Sequence, residues 1–322
     1  MMEKRFGIHA SKTSFLCLLC IVSIIFWMIL KTARNDTELV TTTLSAEVLR
    51  SLNCPEPQAG DQVSFAIADV MSGRAILKQH EPKLIEIIRT KYLKPPSLKP
   101  YQLLTGKDNP SQVGQPTEIL KILGRIRDGF FIESGAFDGE VYSNSLVLEK
   151  TLGWRGLLVE GDPKNYDLLL QKNRKAWSVG ACLSTKPYPH SVMFKQSGTV
   201  GQIKGDVDDS AANKDGVVEV QCLPIYSILL ALNVTTVHYF SLDVEGVELE
   251  VLKTIPWDKV DIQTLSVENL HGAWSKADLK SFMEQQGYWT YNDVAKFTAA
   301  AYDFIFVKDT FKTKEDYLSQ IA

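Results

Sequence analysis

Charged side chains disappear from the chain between Thr13 and Leu30, a run of about 18 residues that as a helix would span about 27 Å. That length suits a thin bilayer such as that of the endoplasmic reticulum, and no small-x-small cleavage site follows before Lys31-Thr32-Ala33-Arg34. The pattern therefore predicts an uncleaved membrane anchor at 13–30. Lys4, Arg5 and Lys12 on one side outweigh Lys31 and Arg34 on the other, so residues 1–12 are expected to be a cytoplasmic tail. Everything after the anchor is then lumenal, in the endoplasmic reticulum or Golgi.

Beyond the anchor the pattern changes twice. Residues 31–80, Thr- and Ser-rich early and carrying Cys54-Pro55-Glu56-Pro57, read as a stem. Residues 81–128 read as a helical extension. Pro82 to Leu93 has apolar residues near helical spacing and is stopped by Pro95-Pro96, and Thr117 to Arg127 carries Ile119, Leu120, Ile122, Leu123 and Ile126.

From 129 to 310 strand and helix patterns alternate. Strands are expected at Phe130–Glu133, Arg155–Glu160, Trp177–Leu183, Val217–Cys222, Val237–Asp243 and Ile262–Val267. Helices are expected at Asn144–Leu152, Pro163–Arg174, Ile225–Leu232, Val247–Ile255 and Lys276–Gln286, with a polar, Asp-rich insertion before Val217. Two final strands, Tyr288–Tyr291 and Ala301–Lys308, follow closely on one another. This is the signature of a doubly wound, mostly parallel Rossmann-like α/β sheet with an antiparallel C-terminal edge pair. Residues 311–322 form a tail.

Composition narrows the function. A hydrophobic content of 45% is that of a globular chain, and a net charge of −3 offers no broad positive field for phosphates, so nucleic acid is not an expected partner. Cys17 and Cys20 lie in the apolar run, where zinc or redox chemistry lacks polar surroundings. Asp206-Val207-Asp208-Asp209-Ser210 lacks the glycine and the closing glutamate of a calcium loop, and no metal site is expected. Cys182 and Cys222 are either a pair in an oxidising lumen or two buried thiols. Asn233-Val234-Thr235 is a candidate glycosylation sequon.

Candidate chemistry sits where strands end, because open sheets bind ligands at their carboxyl edges. Four such ends are acidic. Glu133 precedes Ser134-Gly135-Ala136-Phe137-Asp138-Gly139, where Gly135, Ala136 and Gly139 allow close backbone approach and Glu133 offers a carboxylate to an ammonium. Glu160 ends the next strand and can accept both hydroxyls of a ribose, as the acid about 20 residues past a dinucleotide glycine loop does. With no Walker lysine motif, the combination favours adenosine without a triphosphate. Asp243 and Glu245 follow a later strand and are expected near the transferred group. Val267-Glu268-Asn269 ends the fourth, and His271 beyond it is suited to proton removal near neutral pH.

On these residues the chain from about Pro95 to Lys308 resembles the FkbM family of S-adenosylmethionine-dependent methyltransferases. Glu133, Gly135, Ala136 and Gly139 match its first motif. Glu160, Asp162-Pro163, Asn165-Tyr166 and Asn173 match its second, and Asp243, Glu245, Gly246 and Glu248 its Asp-x-Glu-Gly-x-Glu. The resemblance implies S-adenosyl-L-methionine held by residues including Asp162, and O-methyl transfer to a hydroxyl-bearing acceptor. The chain departs from the pattern at Gly161 and Phe137. It is similar also to the arthropod branch of Star-like type II membrane proteins, through Lys94-Pro95-Pro96-Ser97 and Tyr239 to Gly246. That similarity implies a different role, carriage of membrane growth-factor precursors from endoplasmic reticulum to Golgi, with a membrane cargo protein as partner.

Overall fold

The computed structural model describes residues 67–112, 114–124, 126–207, 216–272, 274–293 and 303–321. The expected tail and anchor, and the stem as far as residue 66, lie outside the described residues. Among those described, no helix is long and apolar enough to cross a membrane.

Eight strands form the main sheet. In chain order they are β1 (Leu93–Lys94), β2 (Phe130–Ser134), β3 (Arg155–Glu160), β4 (Trp177–Gly180), β9 (Thr236–Leu242), β10 (Asp261–Glu268), β11 (Tyr288–Asp293) and β12 (Asp303–Lys308). They lie side by side as β1-β4-β3-β2-β9-β10-β12-β11. The five from β4 to β10 are parallel to one another, while β1, β12 and β11 are antiparallel additions at the two edges. The expected antiparallel pair is present, next to β10.

Side chains on a strand alternate between faces, and here both faces are covered. Leu157 and Val159 of β3, with Phe240 and Leu242 of β9, join a core that includes helices at Ile225–Leu232, Glu248–Lys253 and Lys276–Gln285. Their neighbours Leu158 and Tyr239 turn the other way, onto helices at Gln115–Leu123, Leu146–Leu152 and Pro163–Gln171. Each fully buried Leu or Phe contributes roughly 1.5–3 kcal/mol, so two-sided burial is the main force holding the sheet. Residues 67–80, read in the sequence as the end of the stem, pack on this core through Val70 and Met71, and Ser227 Oγ donates to the Gln79 carbonyl.

The sequence pattern misplaces several boundaries for local reasons. The helix expected from Asn144 begins at Leu146, because the Asn144 N–H and the Ser145 hydroxyl are given to Glu133. The helix expected to Arg174 stops at Gln171, short of Asn173, whose φ of 56° is left-handed. The helix expected over Thr117–Arg127 runs Gln115–Leu123, opened by Pro116 and ended by Gly124. The helix expected over Pro82–Leu93 widens to a π turn at Ile88–Tyr92.

The largest difference lies after β4. The single strand expected over Trp177–Leu183 breaks at Ala181, and β5 (Cys182–Leu183) enters a second sheet with β6 (His190–Lys195), β7 (Gln202–Asp206) and β8 (Val217–Leu223). The stretch read as a polar insertion therefore holds a hairpin, and β8 is not a strand of the main sheet. Residues 208–215 lie outside the described residues. β5 and β8 are parallel and in register, which sets Cys182 opposite Cys222 with their Cα atoms 4.4 Å apart, and the two are joined by a disulfide.

That bridge closes a loop across a sequence separation of 40, for which loop-closure entropy predicts roughly 4 kcal/mol of stabilisation. Cys222→Ser is expected to lower Tm by roughly 4–16 °C in a thermal melt, and both thiols should resist alkylation until reduced. Free thiols in the native oxidised chain would contradict the pairing.

Candidate functional site

The sheet order reverses between β2 and β9. From β2 the chain winds outward through β3 and β4, then returns to the far side of β2 as β9 and continues to β10. Strands that diverge in this way leave a crevice at their carboxyl ends. The Asp243 N–H bonds the Ser134 carbonyl at 3.1 Å, extending the ladder one step past the sheet. Gly135, at φ 83°, turns away directly above it. A Cβ on Gly135 would lie 2.0 Å from the Asp243 carbonyl oxygen, so no other residue fits there without moving the strand ends.

Two adjoining cavities of about 590 and 1070 Å³ open into this crevice and share the wall made by Gly135, Phe137, Asp243 and Glu245. The smaller has Glu160 at one side and apolar groups, including Val159, Leu183, Phe194 and Ile203, around it. Glu160 is 6% exposed. Its Oε2 accepts the Phe137 N–H at 2.7 Å and its Oε1 the Asp162 N–H at 2.8 Å. A carboxylate has about four acceptor positions, so room remains for a ribose hydroxyl. Burial, with repulsion from Asp162 added, pushes the Glu160 carboxyl up to about 7 against those two N–H groups and the Asn165 side chain. Phe137 does not plug the crevice. Held at φ 50° by its bond to Glu160, it stands between the two cavities.

Ala136, Asn144, Asp243, Glu245, Glu268 and His271 are among the residues lining the larger cavity. His271 Nδ1 lies 2.6 Å from Glu245 Oε2 and 3.4 Å from Glu268 Oε1. Oδ1 of Asp243 and Oε2 of Glu268 are buried with no hydrogen-bond partner. Burial raises the Asp243 carboxyl well above the usual carboxylate range, and Glu245 and Asp303 push it further. Glu245 is raised by burial and relieved by His271. Glu245 itself takes φ 59°, and Gly246 follows at φ 110°, where a Cβ would meet the His271 carbonyl oxygen at 2.8 Å. The backbone strain lies beside the cavity wall.

Thus Gly135, Ala136, Glu160, Asp243, Glu245 and His271 are brought together around one crevice. Three other expected site residues are bonded or packed within the protein. Glu133, expected to face a ligand ammonium, is 3% exposed and lines the larger cavity, while its carboxylate accepts from the hydroxyls of Ser143 and Ser145 and the Asn144 N–H. Asp162 caps the 163–171 helix through the Lys164 N–H, also accepts from Gln196 Nε2, and lines neither cavity. Gly139 also lines neither. It packs on Leu169, and its carbonyl accepts from Arg174, whose guanidinium is paired with Glu149 at 3.0 Å.

Residues overlooked in the sequence come from two sources. Phe194 and Ile203 of the second sheet, and Thr199 of the turn between β6 and β7, reach the smaller cavity, and the apolar residues of His190–Lys195 were the available sign of it. Glu268 was noted as a strand end and not as a site residue, yet parallel pairing of β10 with β9 sets it beside Asp243 and Glu245.

Comparison with known proteins adds a similarity to one family. No curated protein sequence matches the chain. A solved structure of a methyltransferase FkbM from Methylobacillus flagellatus KT is 16% identical, with a TM-score of 0.38, over 57% of this chain and 45% of that one. The chain therefore spans under half of that relative. A TehB-like S-adenosylmethionine-dependent methyltransferase from Corynebacterium glutamicum is 13% identical, with a TM-score of 0.32, over 60% of this chain and 86% of that one. The family model described as the methyltransferase FkbM domain matches residues 133–289, which run from the end of β2 to the start of β11 and contain all four acidic strand ends and the glycine turn. Over residues 133–289, just under half of its length, this chain is thus similar to the methyltransferase FkbM domain.

Proposed function

We propose that this chain binds S-adenosyl-L-methionine and transfers its methyl group to a hydroxyl. The observation that carries the reading is the pair of cavities on either side of Gly135 and Asp243, one with a buried carboxylate and an apolar wall, the other polar. The residues present fit the cofactor. Glu160 has room for a ribose hydroxyl, Phe194 and Ile203 offer an apolar surface to a base, and Gly135 leaves the backbone open between the cavities. The carboxylates at the shared wall suit a cationic sulfonium, and Asp243, with an unpaired oxygen, suits it better than Glu133 does. When bound, the cofactor supplies an activated methyl group and a neutral thioether leaving group. The protein's task is alignment of the acceptor and removal of its proton. Asp243 receives that proton, because its raised carboxyl is a stronger base than an ordinary aspartate. Glu245, on the shared wall, and His271 beside it orient the acceptor.

The apolar run at 13–30 supports a type II membrane protein of the endoplasmic reticulum or Golgi with this domain in the lumen. The Cys182–Cys222 bridge agrees with an oxidising compartment, and Asn233 of the sequon is exposed at the end of a helix. The same two features favour a second reading, a Star-like scaffold that escorts membrane growth-factor precursors and transfers no methyl group. Unchanged export of a co-expressed precursor after loss of this protein would end that reading.

Titration calorimetry with S-adenosylmethionine tests the first. Binding is expected, and Glu160→Ala should weaken it roughly 10–100-fold through the loss of charge-assisted bonds. No heat at millimolar cofactor would overturn the proposal. Asp243→Asn should lower kcat by about 10²–10⁴ while binding persists.

The pH dependence has a defined sign. Glu160 keeps a proton in the folded chain between its ordinary value of 4.5 and about 7, so its contribution to stability is complete below 4.5 and is lost as pH rises to 7. A ribose hydroxyl that donates to Glu160 selects the ionised form. Cofactor binding should therefore release a proton below pH 7 and weaken by up to about tenfold per unit of acidification, read from heats in buffers of different ionisation enthalpy. Glu160→Gln should flatten that slope. Lumenal topology predicts an endoglycosidase-sensitive form abolished by Asn233→Gln.

A further inference from the structure

Glu245, Glu268 and His271 each offer one ligand atom, and the three lie within 4.8 Å of one another. Acidic clusters are common at ligand-binding edges, so proximity alone would not assign a site. A second observation does. Glu268 is 9% exposed and lines the larger cavity, yet its Oε2 has no hydrogen-bond partner. Beside it, Asp243 Oδ1 and Asn269 Oδ1 are buried and equally unmatched. Buried carboxylates without partners are costly unless a cation joins them. Among the described residues the basic group paired with Glu245 and Glu268 is the His271 imidazole. Its 2.6 Å contact with Glu245 Oε2 is not aligned as a hydrogen bond, since that oxygen counts among the unmatched ones.

A second trio, Asp243, Glu248 and Glu268, is equally close. It is the weaker set, because the Glu248 carboxylate is already spent on the Val244 and Gly246 N–H groups.

We propose that Glu245, Glu268 and His271 Nδ1 bind one divalent first-row transition ion at the wall of the larger cavity. Two carboxylates and an imidazole make a mixed oxygen and nitrogen set, which suits Mn²⁺ or Zn²⁺ better than Mg²⁺ or Ca²⁺. The strained turn at Glu245 and Gly246 sets the first ligand against the His271 segment. An ion there would hold an acceptor by a hydroxyl and a neighbouring oxygen, as in a vicinal diol or a hydroxy acid. That role rests on the methyl-transfer reading, whereas binding of the ion does not.

The test uses Mn²⁺ alone, titrated into the purified full chain without cofactor, with free Mn²⁺ followed by electron paramagnetic resonance. One ion per chain is expected at about micromolar affinity. Glu268→Gln and His271→Asn should each weaken binding at least about tenfold, with circular dichroism showing an intact fold, and Glu219→Gln on the second sheet should leave it unchanged. Zn²⁺ should displace the bound Mn²⁺, and a stoichiometric rise in Tm with Mn²⁺ in the unaltered chain gives a readout that needs no variant. No binding by the unaltered chain at about millimolar Mn²⁺ would overturn the proposal, as would equal binding by both ligand variants. Failure here with cofactor heat intact would remove only the ion. Loss of cofactor heat with Mn²⁺ bound would remove only the methyl-transfer reading.

Discussion

Negative charge gathered at one edge of the sheet is the constraint on which this structure turns. Parallel pairing of β3, β2, β9 and β10 delivers an acidic residue from every strand to the same rim, where burial weakens the solvent's screening. Each carboxylate then needs its own solution. Glu133 is satisfied by the loop that follows it, Glu160 by the two N–H groups around it, and Glu248 by the turn before its helix. Asp243 and Glu268 keep unmatched oxygens. The unmatched oxygens mark the face where ligand chemistry belongs, because a folded chain retains such atoms at a cost.

The rest of the domain stiffens this rim. Arg174 ties the Gly139 carbonyl and the hydroxyls of Ser143 and Ser145 together while paired with Glu149, so the loop that holds Glu133 is itself held. Lys172 does the same for Asp138 and Glu140 at 3.1 and 2.9 Å. Removing one partner of such a buried pair costs about 3–5 kcal/mol, more than the loss of a surface contact. Residues that match a family motif but lie away from the cavities, such as Gly139, act through this frame.

The second sheet changes the character of the site. Its hairpin supplies the apolar wall opposite Glu160, and the disulfide pins its parallel strands beside the main sheet's edge. A cavity with one acidic and one apolar side accepts a molecule with a polar sugar and a flat base. The larger cavity, ringed by carboxylates and one imidazole, has room for an acceptor and for a cation that the acids favour.

Much of this was legible in the residues. Alternation of apolar runs named every strand of the parallel core, and glycine next to acid at strand ends marked Gly135, Glu160 and Asp243, because strand periodicity and turn chemistry are local properties. Which carboxylates stay free was not legible, since Glu133 and Glu160 look alike as strand-ending acids and differ only in the donors the fold brings to them. The switch of β5 into another sheet was hidden too, because a two-residue strand carries too little pattern to state which neighbour it will pair with. The meeting of Glu245, Glu268 and His271 depends on register between β9 and β10, a long-range pairing that the sequence order of the residues does not contain.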